Sequence, residues 1–236
     1  MTETNHLGQP IGFELPRWTP RPVPPRTATE GRFCRVEPLD PDLHAAELYA
    51  ANSADREGRM WTYLPHGPYD NFADYLVAAR NAAISDERLT YAIIAAETGK
   101  AVGVASYLNI EPRAGSIEVG ALAYSPALQQ RPAATEAMFL MMRRVFAELG
   151  YRRYEWKCNA LNAPSRDAAL RLGFRFEGLF RQADVVKGRN RDTAWFSITD
   201  AEWPVLRDAF ERWLDPGNFD AAGRQFVSLS SLTAGR

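Results

Sequence analysis

The sequence contains few residues of the kinds that build metal or disulfide sites, and it has no long apolar run. Its two cysteines, Cys34 and Cys158, lie far apart without a Cys-x-x-Cys spacing, and its three histidines share no ligand-like spacing. We therefore expect neither a disulfide framework nor a bound metal. No stretch approaches the ~18 consecutive apolar residues of a membrane span, and the polar start MTETNHLGQP lacks the apolar core of a secretory signal. These absences predict a cytoplasmic protein with no membrane partner.

Excess charge of either sign is also missing. The chain has 28 Lys and Arg against 29 Asp and Glu, for a formal net charge of −1 at pH 7. Such a balance provides no field that would attract phosphodiesters, so a nucleic-acid partner is not expected. With 236 residues and 46% hydrophobic residues, the chain can fill the core of one generous domain.

Proline is the one residue in local excess. Six of the 16 prolines lie between Pro10 and Pro25, where their fixed φ and missing N–H exclude both a helix and a central strand. This segment is predicted to be an extended arm. Its side chains Ile11, Phe13 and Trp18 are apolar enough to lie on a domain surface, although a disordered tail is the alternative.

Regular structure is predicted from residue 32 onward by the spacing of apolar residues. The segment 60–69 is rich in aromatic residues but is interrupted by Pro and Gly, which predicts an irregular loop. Strands are predicted at 32–37, 89–96, 101–109, 116–124, 151–158, 174–186 and 192–198, and helices at 40–50, 72–83, 132–149, 162–173 and from 200 onward. This order combines antiparallel hairpins with two helical crossovers, which favours one α/β domain with a mixed sheet.

Four segments carry a family resemblance. They are Ile117–Gly120, Arg131–Ala137, Asn162–Ser165 and Arg171–Phe174, and they resemble the GNAT acyltransferases, most of all the RimJ/RimL-type branch that acetylates ribosomal proteins. The order of elements matches from about residue 31 to residue 198. The resemblance implies a single GNAT-like domain at 31–199, in which a mixed, mostly antiparallel sheet is flanked by helices. The proline-rich arm at 1–30 and an extra helix and tail at 200–236 would pack on that same domain.

The resemblance also implies acetyl-coenzyme A as cosubstrate and no metal. A helix N-terminus suits a pyrophosphate because its N–H groups are unsatisfied and its dipole is positive. The helix that begins at 130–135 would provide this site, although Gln130 and Pro132 stand where glycine is usual. An ordinary Pro-initiated helix without a ligand is the alternative. The cofactor-binding residues implied by the resemblance are Leu122, Ala123, Tyr124, Arg131, Ala133, Ala134, Thr135, Asn162 and Ser165.

Two catalytic residues follow from the same resemblance. Glu118 would accept the proton of an ammonium substrate, because only the free amine has a lone pair with which to attack a thioester. The alternative is a solvated strand carboxylate. The tyrosine that usually protonates the leaving thiolate is replaced by Ala169, so Ser165 or a water would act instead. Asn162 and Ser165 could equally be a helix cap and a first-turn serine, and Cys158 could suggest a ping-pong acyl-cysteine.

The acceptor side is expected near Trp61 and Tyr63 and near the hairpin tip that contains Arg189. Alternatively, the aromatic residues pack in the core and the hairpin tip is a solvated turn. We predict an N-acetyltransferase that moves acetyl to a primary amine by direct attack in a ternary complex, with a protein N-terminal amine as the leading acceptor. A small-molecule amine, such as an antibiotic or peptide toxin, and a non-catalytic coenzyme A-binding module are the competing functions. The sequence leaves the oligomeric state open, and a homodimer is one state that it allows.

Overall fold

Eight strands form one sheet, in the spatial order Thr29–Glu30, Cys34–Pro38, Arg88–Ala95, Ala101–Glu111, Ser116–Tyr124, Arg153–Asn159, Arg189–Thr199 and Arg175–Val186. Every neighbouring pair in this sheet is antiparallel except Ser116–Tyr124 and Arg153–Asn159, which are parallel. This computed structural model describes residues 2–234, so Met1 and residues 235–236, which belong to the predicted arm and tail, lie outside the described residues. The predicted α/β class with a mixed, mostly antiparallel sheet flanked by helices is confirmed.

The elements follow the predicted periodicity closely. The strands are β1 (Thr2–Thr4), β2 (Pro10–Gly12), β3 (Thr29–Glu30), β4 (Cys34–Pro38), β5 (Arg88–Ala95), β6 (Ala101–Glu111), β7 (Ser116–Tyr124), β8 (Arg153–Asn159), β9 (Arg175–Val186) and β10 (Arg189–Thr199). The helices are α1 (Pro41–Asn52), α2 (Phe72–Ile84), α3 (Pro132–Arg143), α4 (Ala163–Arg171), α5 (Trp203–Leu214) and α6 (Leu229–Thr233). None of these helices, within residues 2–234, combines the length and apolar content that crossing a bilayer requires.

Two apolar clusters cover the two faces of the sheet. The larger one packs α3 and α5 against residues such as Val119, Tyr154 and Phe196. The smaller one packs α1 and α2 against Ala92, Ile94 and other small side chains. The small side chains under α1 and α2 leave that face less completely filled, and this is where a cavity lies.

The proline-rich segment differs from a wholly extended arm at its start, where β1 and β2 pair as a separate antiparallel hairpin. Ile11 and Phe13 remain 41% and 50% exposed, and the Arg152 guanidinium lies 5.9 Å from the centroid of the Phe13 ring. A hydrogen bond to the domain follows at Trp18, whose indole N–H donates to the carbonyl of Arg113 at 2.9 Å. Further along, the Tyr91 hydroxyl donates to the carbonyl of Pro25 at 2.8 Å. The arm therefore lies against the sheet through its second half.

The C-terminal helix α5 packs on α3 through aromatic rings. Trp203 stacks on Phe146 with ring centroids 5.4 Å apart, and Phe210 stacks on Phe139 at 5.3 Å. Each aromatic pair adds about 0.5–1.5 kcal/mol beyond the burial of its area. Helix α6 then contacts α4, where the Thr233 hydroxyl donates to the carbonyl of Arg171 at 3.1 Å.

A buried carboxylate joins the start of β4, just after the arm, to α3. Glu136 is 4% exposed and accepts the backbone N–H groups of Arg32, Phe33 and Cys34 at 2.5–2.8 Å. A Cβ added to Gly31 would overlap this carboxylate, so glycine is required beside it. Glu136 thereby fixes the beginning of β4 against the helix whose N-terminus borders the candidate site.

Replacement of Glu136 by Gln should lower the free energy of unfolding by about 2–4 kcal/mol, because the amide offers one acceptor oxygen in place of two and turns an N–H group toward backbone donors. Denaturant unfolding measures this change. Glu211→Gln on the exposed face of α5 is the matched control and should change stability by less than about 0.5 kcal/mol. Equal stability of the Glu136 variant and the wild type would show that the carboxylate does not stabilise the contact between α3 and the start of β4.

Candidate active site

The candidate site is the gap where β7 and β8 separate. Their parallel pairing runs from Ser116 opposite Arg153 to Val119 opposite Trp156, and in the described chain both strands continue beyond that point unpaired with each other. A bulge in β7 accompanies the separation: between the pairs Val104–Ala123 and Ser106–Gly120, one residue of β6 opposes two residues of β7. Bulges of this kind bend a strand and redirect its peptide groups. The gap therefore opens at the carboxyl ends of the two parallel strands.

Two helix N-termini meet this gap. Helix α3 follows β7 and α4 follows β8, and because these strands are parallel, both helices begin at the same edge of the sheet. The cap residue of α3, Arg131, provides no side-chain hydrogen bond to the first turn. Its N-terminal N–H groups thus lack a side-chain acceptor and suit an anion.

The backbone explains why glycine is usual just before α3. Gln130 has a φ of +59°, a left-handed conformation that costs a non-glycine residue roughly 1–2 kcal/mol. Pro132 occupies the first helical position, which its fixed φ permits. The turn before α3 is therefore left-handed at Gln130, and Pro132 provides no N–H donor in the first turn of the helix.

Not all the residues proposed for the cofactor are equally accessible. Arg131 is exposed, whereas Ala133 is buried and Thr135 accepts a hydrogen bond from the Arg171 guanidinium at 3.0 Å. Ala134 is half-buried in the same turn. The accessible features of this turn are thus the Arg131 side chain and the backbone.

At the start of α4, Asn162 is the predicted cap: its Oδ1 accepts the N–H of Ser165 at 3.2 Å. The hydroxyl of Ser165 accepts from the indole N–H of Trp156 at 3.1 Å, and its own proton can be donated elsewhere. Ala169, where the usual tyrosine is absent, is fully buried. Another phenol lies close by, since the Tyr63 hydroxyl donates to the carbonyl of Leu161 at 3.1 Å.

Glu118 lies beside the gap and is not a solvated carboxylate, because it is only 6% exposed. One oxygen, Oε2, accepts from the Asn109 amide at 2.6 Å and pairs with the Lys157 ammonium at 2.9 Å. The other, Oε1, lies 3.2 Å from where a Cβ on Gly120 would stand. One carboxylate oxygen is thus anchored while the other faces Gly120.

Lys157 remains charged in this cluster. Burial alone would lower the pKa of Lys157, but its hydrogen bonds and charge interactions with Glu118 and Glu155 raise the pKa above its usual value. Its Nζ also lies 3.9 Å from the ring centroid of Trp195. The ammonium therefore holds Glu118 in position.

On the α1 and α2 face, next to the bulge, a cavity of about 250 Å³ is walled by residues from six parts of the chain. Ala121 and Ala123 of β7 form one side, and the hydroxyls of Thr90 and Ser106, 3.0 Å apart, also line it. The remaining lining residues are Leu39, Trp61, His66, Tyr69, Tyr75, Ala78, Ala79, Asn81, Ala82, Arg88 and Val104. A more open groove of about 550 Å³ along β9 and β10 contains none of the predicted site residues.

The sequence reasoning missed most of the polar groups in this cavity. His66 is among them, and burial, helped by the charges of Arg88 and Lys187, lowers its pKa, so the imidazole is neutral at pH 7. Burial also raises the pKa of the Tyr69 phenol. A polar Thr90 within an otherwise apolar strand was the one signal in the sequence that could have indicated a polar pocket.

The hairpin tip contacts the aromatic loop through Lys187. Its Nζ donates to the carbonyls of Trp61 and Gly67 at 2.9 and 2.7 Å. Arg189, the tip residue predicted to bind substrate, is exposed. Trp61 is buried and also lines the cavity. The same side chain therefore packs in the core and forms part of the cavity wall.

Comparison with known proteins gives consistent findings. The model of the acetyltransferase (GNAT) domain matches residues 34–175. A GCN5-related N-acetyltransferase from Brucella melitensis has 49% identity and a TM-score of 0.91, covering 93% of this chain and 100% of its own. A GNAT-family acetyltransferase from Chromobacterium violaceum has 38% identity and a TM-score of 0.77, covering 83% and 98%. The N-acetyltransferase p20 of Bacillus licheniformis, itself uncharacterised, is 26% identical over 167 residues, covering 69% of this chain and 91% of p20.

Both cysteines should react slowly with alkylating reagents. Burial raises the pKa of Cys158 despite its contact with Ser165, and burial, together with Glu136, raises the pKa of Cys34 well above its usual range. Since the thiolate is the reacting form, alkylation by iodoacetamide at pH 8 should be at least tenfold slower in the native protein than in denaturant. Mass spectrometry of the labelled peptides measures both sites separately. Rapid native labelling of Cys158 would instead restore it as a candidate nucleophile.

Proposed function

Because the chain belongs to the GNAT family of acetyl-CoA-dependent N-acetyltransferases, we propose that it acetylates a primary amine by direct attack, with donor and acceptor bound together. The observation that carries this proposal is the gap between β7 and β8, where two helices begin and where Ala121 and Ala123 of β7 line a cavity on the α1 and α2 face. Residues 31–199 would form the catalytic domain, and the segments at 1–30 and 200–236 would support it.

The donor side fits acetyl-coenzyme A. The uncapped first turn of α3, with Arg131 and the backbone of Ala133, Ala134 and Thr135, would hold the pyrophosphate. The unpaired edge of β7 at Leu122–Tyr124 would bind the pantetheine amides, and the free Nδ2 of Asn162 would assist. The bound donor supplies an acetyl group activated as a thioester, with a thiol as the leaving group.

On the acceptor side, Glu118 would act as the base. Its Oε2 is held by Lys157 and Asn109, so Oε1 is the oxygen positioned to take a proton from the ammonium, directly or through a water. The amine must lose this proton before it can attack. The cavity walled by Ala121 and Ala123 would hold the rest of the acceptor.

Two further groups would serve the transfer. Backbone N–H groups near Leu122 and Ala123 would stabilise the thioester oxygen as it gains charge. Ser165 would donate a hydrogen bond to the departing sulfur, and Tyr63, at the same turn, is a second hydroxyl near this position. Because a thiol has a pKa near 8.5, hydrogen bonding is enough to help it leave. Cys158 takes no part, since its raised pKa leaves it protonated.

The acceptor itself is proposed to be a protein N-terminal amine, as in the RimJ/RimL-type branch. A small-molecule amine is the second candidate, and the cavity of about 250 Å³ favours a small reacting group in either case. A module that binds coenzyme A without catalysis is the third. A panel of peptides, polyamines and aminoglycosides, assayed by thiol release, separates these functions.

Acetyl-coenzyme A at about 100 times its Kd should stabilise the protein by about 2.7 kcal/mol and raise its Tm by about 5–10 °C. Thermal unfolding measures this shift. Arg131→Glu should reduce the affinity for acetyl-coenzyme A at least tenfold, because it places a negative charge where the pyrophosphate would bind. Arg113→Glu, at an exposed turn, is the matched control and should retain the shift. A wild type that shows no shift even at millimolar donor would contradict the proposed activity.

Glu118→Gln should slow acetylation by about 10²–10⁴-fold, most strongly at low pH, where the amine is largely protonated and depends on a base. The measurement is the rate of thiol release between pH 6 and pH 9. Glu155→Gln is the matched control, because Glu155 pairs with the same Lys157 at 2.9 Å but is not the proposed base. A Glu118 variant with the pH–rate curve of the wild type would remove the proposed role.

A further inference from the structure

A guanidinium without a partner lines the acceptor cavity. Arg88 begins β5 and is half-buried, and within residues 2–234 no carboxylate pairs with it and no side-chain hydrogen bond involves it. Other arginines nearby in the fold behave differently: Arg80 pairs with Asp42, and Arg153 pairs with Glu155 and Glu177. The one cavity arginine is thus free to bind something else.

The cavity as a whole carries positive charge. Apart from Arg88, its described lining residues are aromatic, aliphatic, hydroxyl or amide side chains and the neutral His66, with no Asp or Glu among them. A guanidinium in a partly desolvated cavity attracts anions more strongly than one in water. It also opposes entry of an acceptor whose only charge is an ammonium.

The register of the sheet places Arg88 across from the proposed base. Arg88 is the Cα partner of Leu108, and Leu108 is the partner of Glu118. Two strand spacings, about 10 Å, therefore separate the backbones of Arg88 and Glu118 on one face of the sheet. Glu118 does not itself line the cavity, so an acceptor with its anion at Arg88 and its amine directed toward Glu118 would have to reach across Leu108.

We propose, on the basis of the function proposed above, that the acceptor amine carries a carboxylate nearby and that Arg88 binds this carboxylate. The planar guanidinium matches a carboxylate through two parallel hydrogen bonds, which fixes orientation as well as charge. Such an acceptor enters the cavity with its ammonium charge already balanced. The positive charge of Arg88 then favours the free amine that attack requires, in the same way that it favours the neutral form of His66.

Two sources can supply this chemistry. A free amino acid has an α-carboxylate beside its amine, and a peptide that begins with Asp has a side-chain carboxylate there. Four probes separate them: alanine and alaninamide for the free amino acid, and Asp-Ala-Ala-amide and Asn-Ala-Ala-amide for the peptide. Within each pair only the carboxylate differs.

The experiment compares kcat/KM on the four probes for the wild type, Arg88→Gln and Arg88→Lys. The wild type should prefer one carboxylate probe over its amide at least tenfold, mainly through KM. Arg88→Gln should abolish that preference, and Arg88→Lys should restore only part of it, because an ammonium cannot bind both oxygens in the planar geometry. Arg80→Gln, an exposed arginine on α2, is the control and should keep the preference.

Two readouts separate failure of this inference from failure of the proposed function. The thermal shift with acetyl-coenzyme A should be equal in wild type and Arg88→Gln, and its absence in both would contradict the function. Calorimetric titration of the same four probes, without donor, tests Arg88 in either case. Equal binding and turnover of carboxylate and amide probes by the wild type, or a carboxylate preference that survives in Arg88→Gln, would overturn the inference.

Discussion

The separation of two parallel strands is the constraint on which the rest of the site depends. Pairing between β7 and β8 ends at Val119 and Trp156, and the bulge in β7 prevents the ladder from continuing with the same geometry. Since each strand leads into a helix at this same edge, the gap acquires two positive helix termini and two free strand edges together. A single interruption of the sheet thereby creates the opening, the helix termini proposed to bind an anion and the unpaired peptide groups of the strand edges.

The position of α3 relative to this gap is fixed from outside the sheet. Glu136 accepts the N–H groups of Arg32, Phe33 and Cys34 at the start of β4. Arg144, the residue directly after α3, donates to the carbonyls of Thr27 and Ala28 at 2.9 and 3.3 Å. Buried charges are stable only when hydrogen-bonded, so the arm and the helix require one another. The second half of the proline-rich arm therefore also stabilises the position of α3, because its carbonyl groups accept the hydrogen bonds of Arg144.

The sequence predicted the elements of the fold and the cap of α4. Apolar periodicity located every strand of the main sheet except the two-residue β3, and Asn162 was identifiable as a cap because its position before Pro164 matches a known helix start. The acceptor cavity was not predictable in the same way. His66, Arg88 and Ser106 come from a loop and two strands, and only the antiparallel register, which no local pattern encodes, brings them together. Similarly, nothing in the sequence of the hairpin tip indicated that Lys187 rather than Arg189 contacts the aromatic loop. Which residue makes this contact depends on how far the hairpin extends over the loop.

In the proposed reaction, Glu118 and Arg88 would divide the work of handling a proton. Lys157 and Asn109 hold Oε2 of Glu118 and leave Oε1 for the substrate, while Arg88 would oppose positive charge in the cavity. An ammonium between them would be drawn toward the carboxylate and repelled from the guanidinium, and both effects favour transfer of its proton to Oε1. Because Arg88 lies about two strand spacings from Glu118, it can exert this field without pairing with the base and neutralising it. The spacing of these residues across β6 is therefore as important to the proposed chemistry as their identities.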